Sequence, residues 1–74
     1  MDYNEWAREY YQNAQRIHKV IVRKNQELKD KKALSADRRK QLTDEISHYR
    51  RIYHELLNIG DTLKNRAEGA AIEE

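Results

Sequence analysis

The residues of this 74-residue chain that come nearest to a metal site are a glutamate and a histidine three positions apart. Glu45 and His48 would lie on one face of a helix, a spacing that carboxylate-bridged metal bundles use with another glutamate from a facing helix. Glu27 is the candidate for that role. One such match is expected by chance in a glutamate-rich chain, and Lys24 nearby would repel a metal or pair with a carboxylate. We therefore predict no metal and no other cofactor, and keep Glu27, Glu45 and His48 only as candidates.

A second group of residues that could bind a ligand is a run of basic side chains in the middle of the chain. Such a cluster can contact phosphates, and each contact adds salt-dependent affinity. No aromatic residue is interleaved to stack on bases, however, and no DNA-binding motif is present. A solvated, charge-rich surface is the simpler interpretation, with nucleic acid or an acidic protein surface as alternatives. We name this cluster the basic tip; it comprises Lys29, Lys31, Lys32, Arg38, Arg39 and Lys40.

The remaining composition offers little enzyme chemistry. The chain has no cysteine and no glycine-rich phosphate loop, and no serine with a nearby acid and histidine reads as a nucleophile, so we predict that it is not an enzyme. The net charge of +2, from 15 basic and 13 acidic residues, indicates no particular partner. Residues 1–5 are acidic and polar, and no apolar run is long enough to span a membrane. We therefore expect no signal peptide, no membrane contact and a cytoplasmic location.

Two long helices must position these groups. The chain has no proline and only two glycines, and helix-forming residues are abundant, which favours helix over sheet. Apolar or small residues recur at alternating intervals of four and three positions, the heptad pattern of helices packed side by side. We name these positions the seam: Tyr3, Ala7, Tyr10, Ala14, Ile17, Ile21, Lys24 and Leu28, then Leu42, Ile46, Tyr49, Tyr53, Leu56, Gly60, Leu63 and Ala67.

The break between the two periodic segments predicts a single short turn. Ser35 is suited to capping a helix N-terminus, and Asp37 would follow in the first turn, where a negative charge is favourable. We predict one domain over residues 1–68, with helices over about 3–32 and 36–66, a turn over 33–36 and a flexible tail over 69–74. The fold class is all-α: an antiparallel, coiled-coil-like hairpin of two helices.

The two halves of the seam can be paired, because facing positions in an antiparallel hairpin have a constant sum. A sum near 70 mostly places large residues opposite small ones, as dense packing requires. It puts Tyr10 opposite Gly60, and a tyrosine ring could use the room that a glycine leaves. The alternative is that Gly60 ends the second helix, with Asp61 capping a new one.

Further apolar residues form a stripe beside the seam, and two helices sharing one seam bury little surface. A homodimer of hairpins, forming a four-helix bundle, would cover this stripe; docking on a different protein is the alternative. We predict a protein–protein interaction module such as an adaptor, inhibitor or accessory factor. A nucleic-acid-associated protein acting through the basic tip is the runner-up. We name the predicted interface the apolar face: Trp6, Tyr10, Ile17, Val20, Ile52, Leu56, Ile59 and Leu63.

Overall fold

The computed structural model describes residues 2–30 and 34–73, which form two antiparallel helices packed along their length. Helix α1 is Tyr3–Lys29 and helix α2 is Ala36–Glu73. The molecule measures 59 × 15 × 14 Å, the shape of a two-helix rod. The described ranges contain no β-strand, and the prediction of an all-α helical hairpin is confirmed.

Both helices begin at residues whose side chains satisfy free backbone N–H groups. Oδ1 of Asp2 accepts hydrogen bonds from the amides of Asn4 and Glu5, at 3.0 and 3.2 Å. Oγ of Ser35 accepts from the amide of Arg38 at 3.1 Å, which confirms the predicted cap of the second helix. These two caps set where the helices start.

The C-terminal ends differ from their predicted positions. Helix α1 ends at Lys29, because the backbone turns to an extended conformation at Asp30, rather than near residue 32. Residues 31–33, where we placed the end of the helix and the start of the turn, lie outside the described residues. Helix α2 continues to Glu73 rather than ending near residue 66, so the predicted break before the tail is wrong. Gly69 adopts helical backbone without a positive φ, and Ala70 and Ala71 after it are strong helix formers.

The core follows the seam. Its fully buried members come from both helices, and Leu42 has no exposed surface at all. Every other seam residue is at least half-buried. Cross-helix contacts such as Lys24 with Glu45 and His18 with Tyr53 join positions that add to about 70, in agreement with the predicted register. The buried residues are Ala7, Ala14, Ile21, Leu42, Ile46 and Leu63, together with Gly60.

Gly60 lies within a continuous helix, but the ring that fills its space belongs to Tyr11 rather than to Tyr10. A Cβ added at Gly60 would come within 2.9 Å of Cε1 of Tyr11. Gly60 and Tyr11 occupy the same lateral side of the seam, whereas Tyr10 lies toward the other side. A tyrosine ring does use the room at Gly60, as predicted. The predicted residue, Tyr10, is wrong by one position, which corresponds to about 100° of rotation around the helix.

Candidate functional site

An apolar groove lies near the open end of the hairpin, where α1 begins and α2 ends. Trp6 and Tyr10 of α1 form one wall, and Ile59 and Leu63 of α2 form the other. The groove has a volume of about 290 Å³ and is open to solvent along its length. We name it the groove; four of the eight predicted apolar-face residues line it.

The groove exposes side chains that folded proteins usually cover. Trp6 is 39% exposed and Ile59 is 43% exposed, whereas Leu63 beneath them is only 5% exposed. The Trp6 ring stacks on Tyr3 with 6.5 Å between ring centroids, which holds the indole against its own helix. An exposed tryptophan beside an exposed isoleucine is typical of an interface anchor.

The other residues predicted for the apolar face lie nearer the tip and do not line the groove. They are half-buried beside the seam, so the exposed members of the apolar face are Trp6 and Ile59 in the groove. The sequence pattern assigned all eight positions equally, because periodicity shows which side of a helix a residue lies on but not how deeply its side chain is buried. These residues are Ile17, Val20, Ile52 and Leu56.

Polar side chains border the groove on the α2 side. The Thr62 hydroxyl donates to the Asn58 carbonyl of its own helix at 2.9 Å, so its hydrogen-bonding capacity is already used there. Arg66 lies at the end of the groove, exposed, with no ion pair to any residue in the described ranges. An apolar floor with a cationic, polar rim matches the usual anatomy of a protein–protein interface.

Across the seam from the groove, Tyr11 joins the two helices. Its hydroxyl donates to Oδ1 of Asp61 at 2.5 Å, while its ring lies over Gly60. That hydrogen bond to a carboxylate raises the pKa of Tyr11, because it favours the neutral phenol. Tyr11 is not one of the predicted seam residues; Gly60 opposite it was the signal that could have identified the contact.

Toward the tip, an ion pair takes the place of apolar seam packing. Nζ of Lys24 donates to Oε2 of Glu45 at 2.6 Å and lies 5.6 Å from the centre of the Tyr49 ring. The hydrogen bond from Lys24 lowers the pKa of the Glu45 carboxyl. The lysine that interrupts the apolar seam therefore has a carboxylate and an aromatic partner.

The basic tip is partly neutralised. Arg38 donates to Oε1 of Glu27 from Nη2 at 2.9 Å and from Nε at 3.2 Å, and Nη1 donates to Gln41. Lys29, Arg39 and Lys40 are exposed, with no salt bridge to another described residue. Lys31 and Lys32 lie outside the described residues. Among the described residues of the basic tip, Lys29, Arg39 and Lys40 therefore carry the positive charge that no carboxylate offsets.

The candidate metal ligands are engaged in other contacts. Glu27 pairs with Arg38 and Glu45 with Lys24, while the His48 ring packs edge-on against Tyr49 at 5.9 Å. Within residues 2–30 and 34–69, no three histidine or acidic side chains converge in a way that would hold a metal. A cation on each carboxylate disfavours the binding of a metal at these residues.

Neither described helix combines the length and the apolar character that crossing a bilayer requires. No family model, curated protein or solved structure matches this chain.

Proposed function

We propose that this protein is a protein–protein interaction module that self-associates through its apolar face and acts as an adaptor, inhibitor or accessory factor. The observation that carries the proposal is the groove, where Trp6 and Ile59 are exposed side by side. A cytoplasmic location stays a prediction from composition.

The groove supports this function because of what it leaves uncovered. Solvent contact at Trp6 and Ile59 costs free energy that a covering surface would recover, at about 25 cal/mol per Å² of apolar area. The wall residues come from both helices, so the surface exists only when the hairpin is folded. Twofold dimers are the commonest way in which small proteins cover such a surface.

The test is the molar mass in solution, measured by light scattering for the wild type and for Ile59→Asp. The wild type should have twice the chain mass of 8.9 kDa, and the variant should fall to the mass of one chain while keeping its helical circular dichroism. A buried aspartate in the interface would be an uncompensated charge, which explains the expected loss.

Val22→Asp is the matched control. Val22 is 40% exposed, close to the 43% of Ile59, but it lies on the other lateral side of the hairpin, next to Arg50. This variant should keep the dimer mass. A wild type that stays monomeric at every concentration, or equal loss in both variants, would contradict the proposal.

A second candidate function, nucleic-acid binding, rests on the exposed cations of the basic tip. Lys29, Arg39 and Lys40 could contact phosphates without first breaking a salt bridge to another described residue. Replacing all three by glutamate should abolish binding of a labelled duplex and leave the molar mass unchanged. Wild-type protein that shows no salt-dependent binding at low ionic strength would exclude this function.

A further inference from the structure

We propose that the occupant of the groove is a second copy of this chain in antiparallel orientation, with the two tips at opposite ends and α1 lying beside α1. This inference rests on the proposed self-association and adds its geometry. Two features of α1 carry it: the charge sequence along one edge, and the position of a single asparagine.

The edge of α1 next to the groove carries four charged residues at intervals of seven, which keeps them on one line along the helix. Asp2 and Glu9 lie near the open end, and Arg16 and Arg23 lie toward the tip. All four are exposed. Asp2 caps its own helix. Arg16 makes one long hydrogen bond, to Asn13 at 3.5 Å, and neither Arg16 nor Arg23 forms a salt bridge with a carboxylate among the described residues.

The sign of charge changes halfway along this edge, which makes the edge complementary to itself when reversed. An antiparallel second copy would bring its Arg16 opposite Glu9 and its Arg23 opposite Asp2. Twofold symmetry would repeat each contact, because a residue that meets its partner is met in the same way by the other copy. The eight charges of the two copies would thus form four ion pairs along the dimer edge.

The same register gives a partner to Asn13, the polar residue in the middle of the stripe. Asn13 lies seven positions from both Trp6 and Val20 on the edge of the apolar face, and it is exposed. In the antiparallel arrangement the two Asn13 side chains meet at the twofold axis and Trp6 covers Val20 of the second copy. A polar residue that pairs with itself inside an apolar interface is a known way of fixing orientation.

A parallel arrangement, with both tips at one end, fits these residues less well. It would pack α1 against α2 of the second copy and place Asn13 opposite Ile59, an apolar side chain that offers the Asn13 amide no hydrogen bond. It would retain attraction between Arg16 and Glu55 but set Glu9 opposite Thr62, whose hydroxyl already donates within its own helix. The charge sequence and the asparagine therefore both favour the antiparallel dimer.

The experiment is a charge exchange, read out as the dimer dissociation constant by analytical ultracentrifugation. Glu9→Lys and Arg16→Glu should each weaken the dimer on the order of tenfold, since each variant replaces two exposed attractive pairs by repulsive ones. The double variant should return to within a few-fold of the wild type, because it restores opposite charges. Lys19→Glu, at an exposed position outside this edge, is the control for the change in net charge and should have little effect.

A distance measurement separates this geometry from self-association itself. The chain has no cysteine, so Lys40→Cys gives a single site near the tip for a spin label. The two labels should lie about 50 Å apart in the antiparallel dimer, from the helical rise of 1.5 Å per residue, against about 20 Å if the tips are adjacent.

The outcomes distinguish failure of the geometry from failure of the function. A dimer that Ile59→Asp disrupts, but whose double charge variant is not rescued and whose labels lie close together, would overturn the antiparallel arrangement and leave the proposed function standing. A wild type that is monomeric throughout would overturn both. Rescue together with a long label distance is the result we expect.

Discussion

The two ends of the hairpin share one heptad pattern, but different kinds of side chain lie over the seam at each end. At the tip, long charged side chains close over the seam: Lys24 pairs with Glu45, and Arg38 pairs with Glu27, beside the fully buried Leu42. At the open end, the seam is narrow because Ala7, Ala14 and Gly60 are small, and the groove beside it is left open.

The difference shows how one repeating pattern can produce an end whose seam is covered by ion pairs and an end whose apolar side chains are exposed. Toward the tip, two ion pairs between the helices, Lys24 with Glu45 and Arg38 with Glu27, cover the seam without a partner. Trp6 and Ile59 have no such cover. The proposed self-association therefore belongs to the open end, whereas the ion pairs toward the tip join the two helices to each other.

The largest effect on stability should come from a core substitution near the tip. Leu42→Ala should lower the free energy of unfolding by about 2–5 kcal/mol, because it leaves a cavity at a residue with no exposed surface. Ile59→Ala should cost only about 1 kcal/mol at low protein concentration, since Ile59 is already 43% exposed. Urea denaturation measures both.

Protein concentration sharpens this contrast. The deficit of Ile59→Ala relative to the wild type should grow as concentration rises, because association stabilises only the chain whose interface is intact. The deficit of Leu42→Ala should stay constant. Equal deficits for the two variants at every concentration would show that the two ends do not differ as described.

The two glycines provide a smaller and more local test. Gly69→Ala should stabilise the protein by up to about 1 kcal/mol, because nothing lies within 4 Å of the added Cβ and alanine favours helix. Gly60→Ala should lose most or all of that gain, since the Cβ would displace the Tyr11 ring and weaken its hydrogen bond to Asp61. Thermal unfolding of the two variants gives the comparison.

Removing the ring provides the control for this test. In a Tyr11→Ala background, Gly60→Ala should become as stabilising as Gly69→Ala, because the obstruction is gone. If Gly60→Ala stabilises the wild-type protein as much as Gly69→Ala does, then the close approach of Tyr11 to Gly60 has no energetic consequence.

The smallest effect concerns acid and the ion pair at the tip. The hydrogen bond from Lys24 lowers the pKa of Glu45 in the folded state, so the unfolded state binds the proton more readily. This contribution to stability is present above the ordinary pKa of glutamate and is lost as the pH falls from about 5 through the lowered value. Glu45→Gln should therefore flatten the decline of the unfolding free energy over that range.

Lys24→Met tests the cause of the shift. Without the ammonium group the Glu45 pKa should return toward its ordinary value, and the decline with acid should become as shallow as in Glu45→Gln. Urea midpoints measured at a series of pH values report this slope. A wild-type slope equal to that of both variants would show that the pair contributes nothing to acid sensitivity.

The amino-acid sequence by itself determined the helices, the antiparallel hairpin and the seam. Helix-forming residues, the alternating spacing and the cap at Ser35 are local properties, and local properties survive in any tertiary context that keeps the helices. From the sequence, Lys24 could repel a metal or pair with a carboxylate, and in the structure it pairs with Glu45.

Only the tertiary structure decided which flanking side chains meet. Spacing places a residue on a face to within about one helix position, or 100° of rotation. The rotation and axial offset of the second helix then select Tyr11 rather than Tyr10 for Gly60, and they turn Glu27 toward Arg38. The rotation and axial offset of the second helix also leave Trp6 and Ile59 uncovered. A groove between two helices depends on how the helices pack, so the sequence of either helix alone does not reveal it.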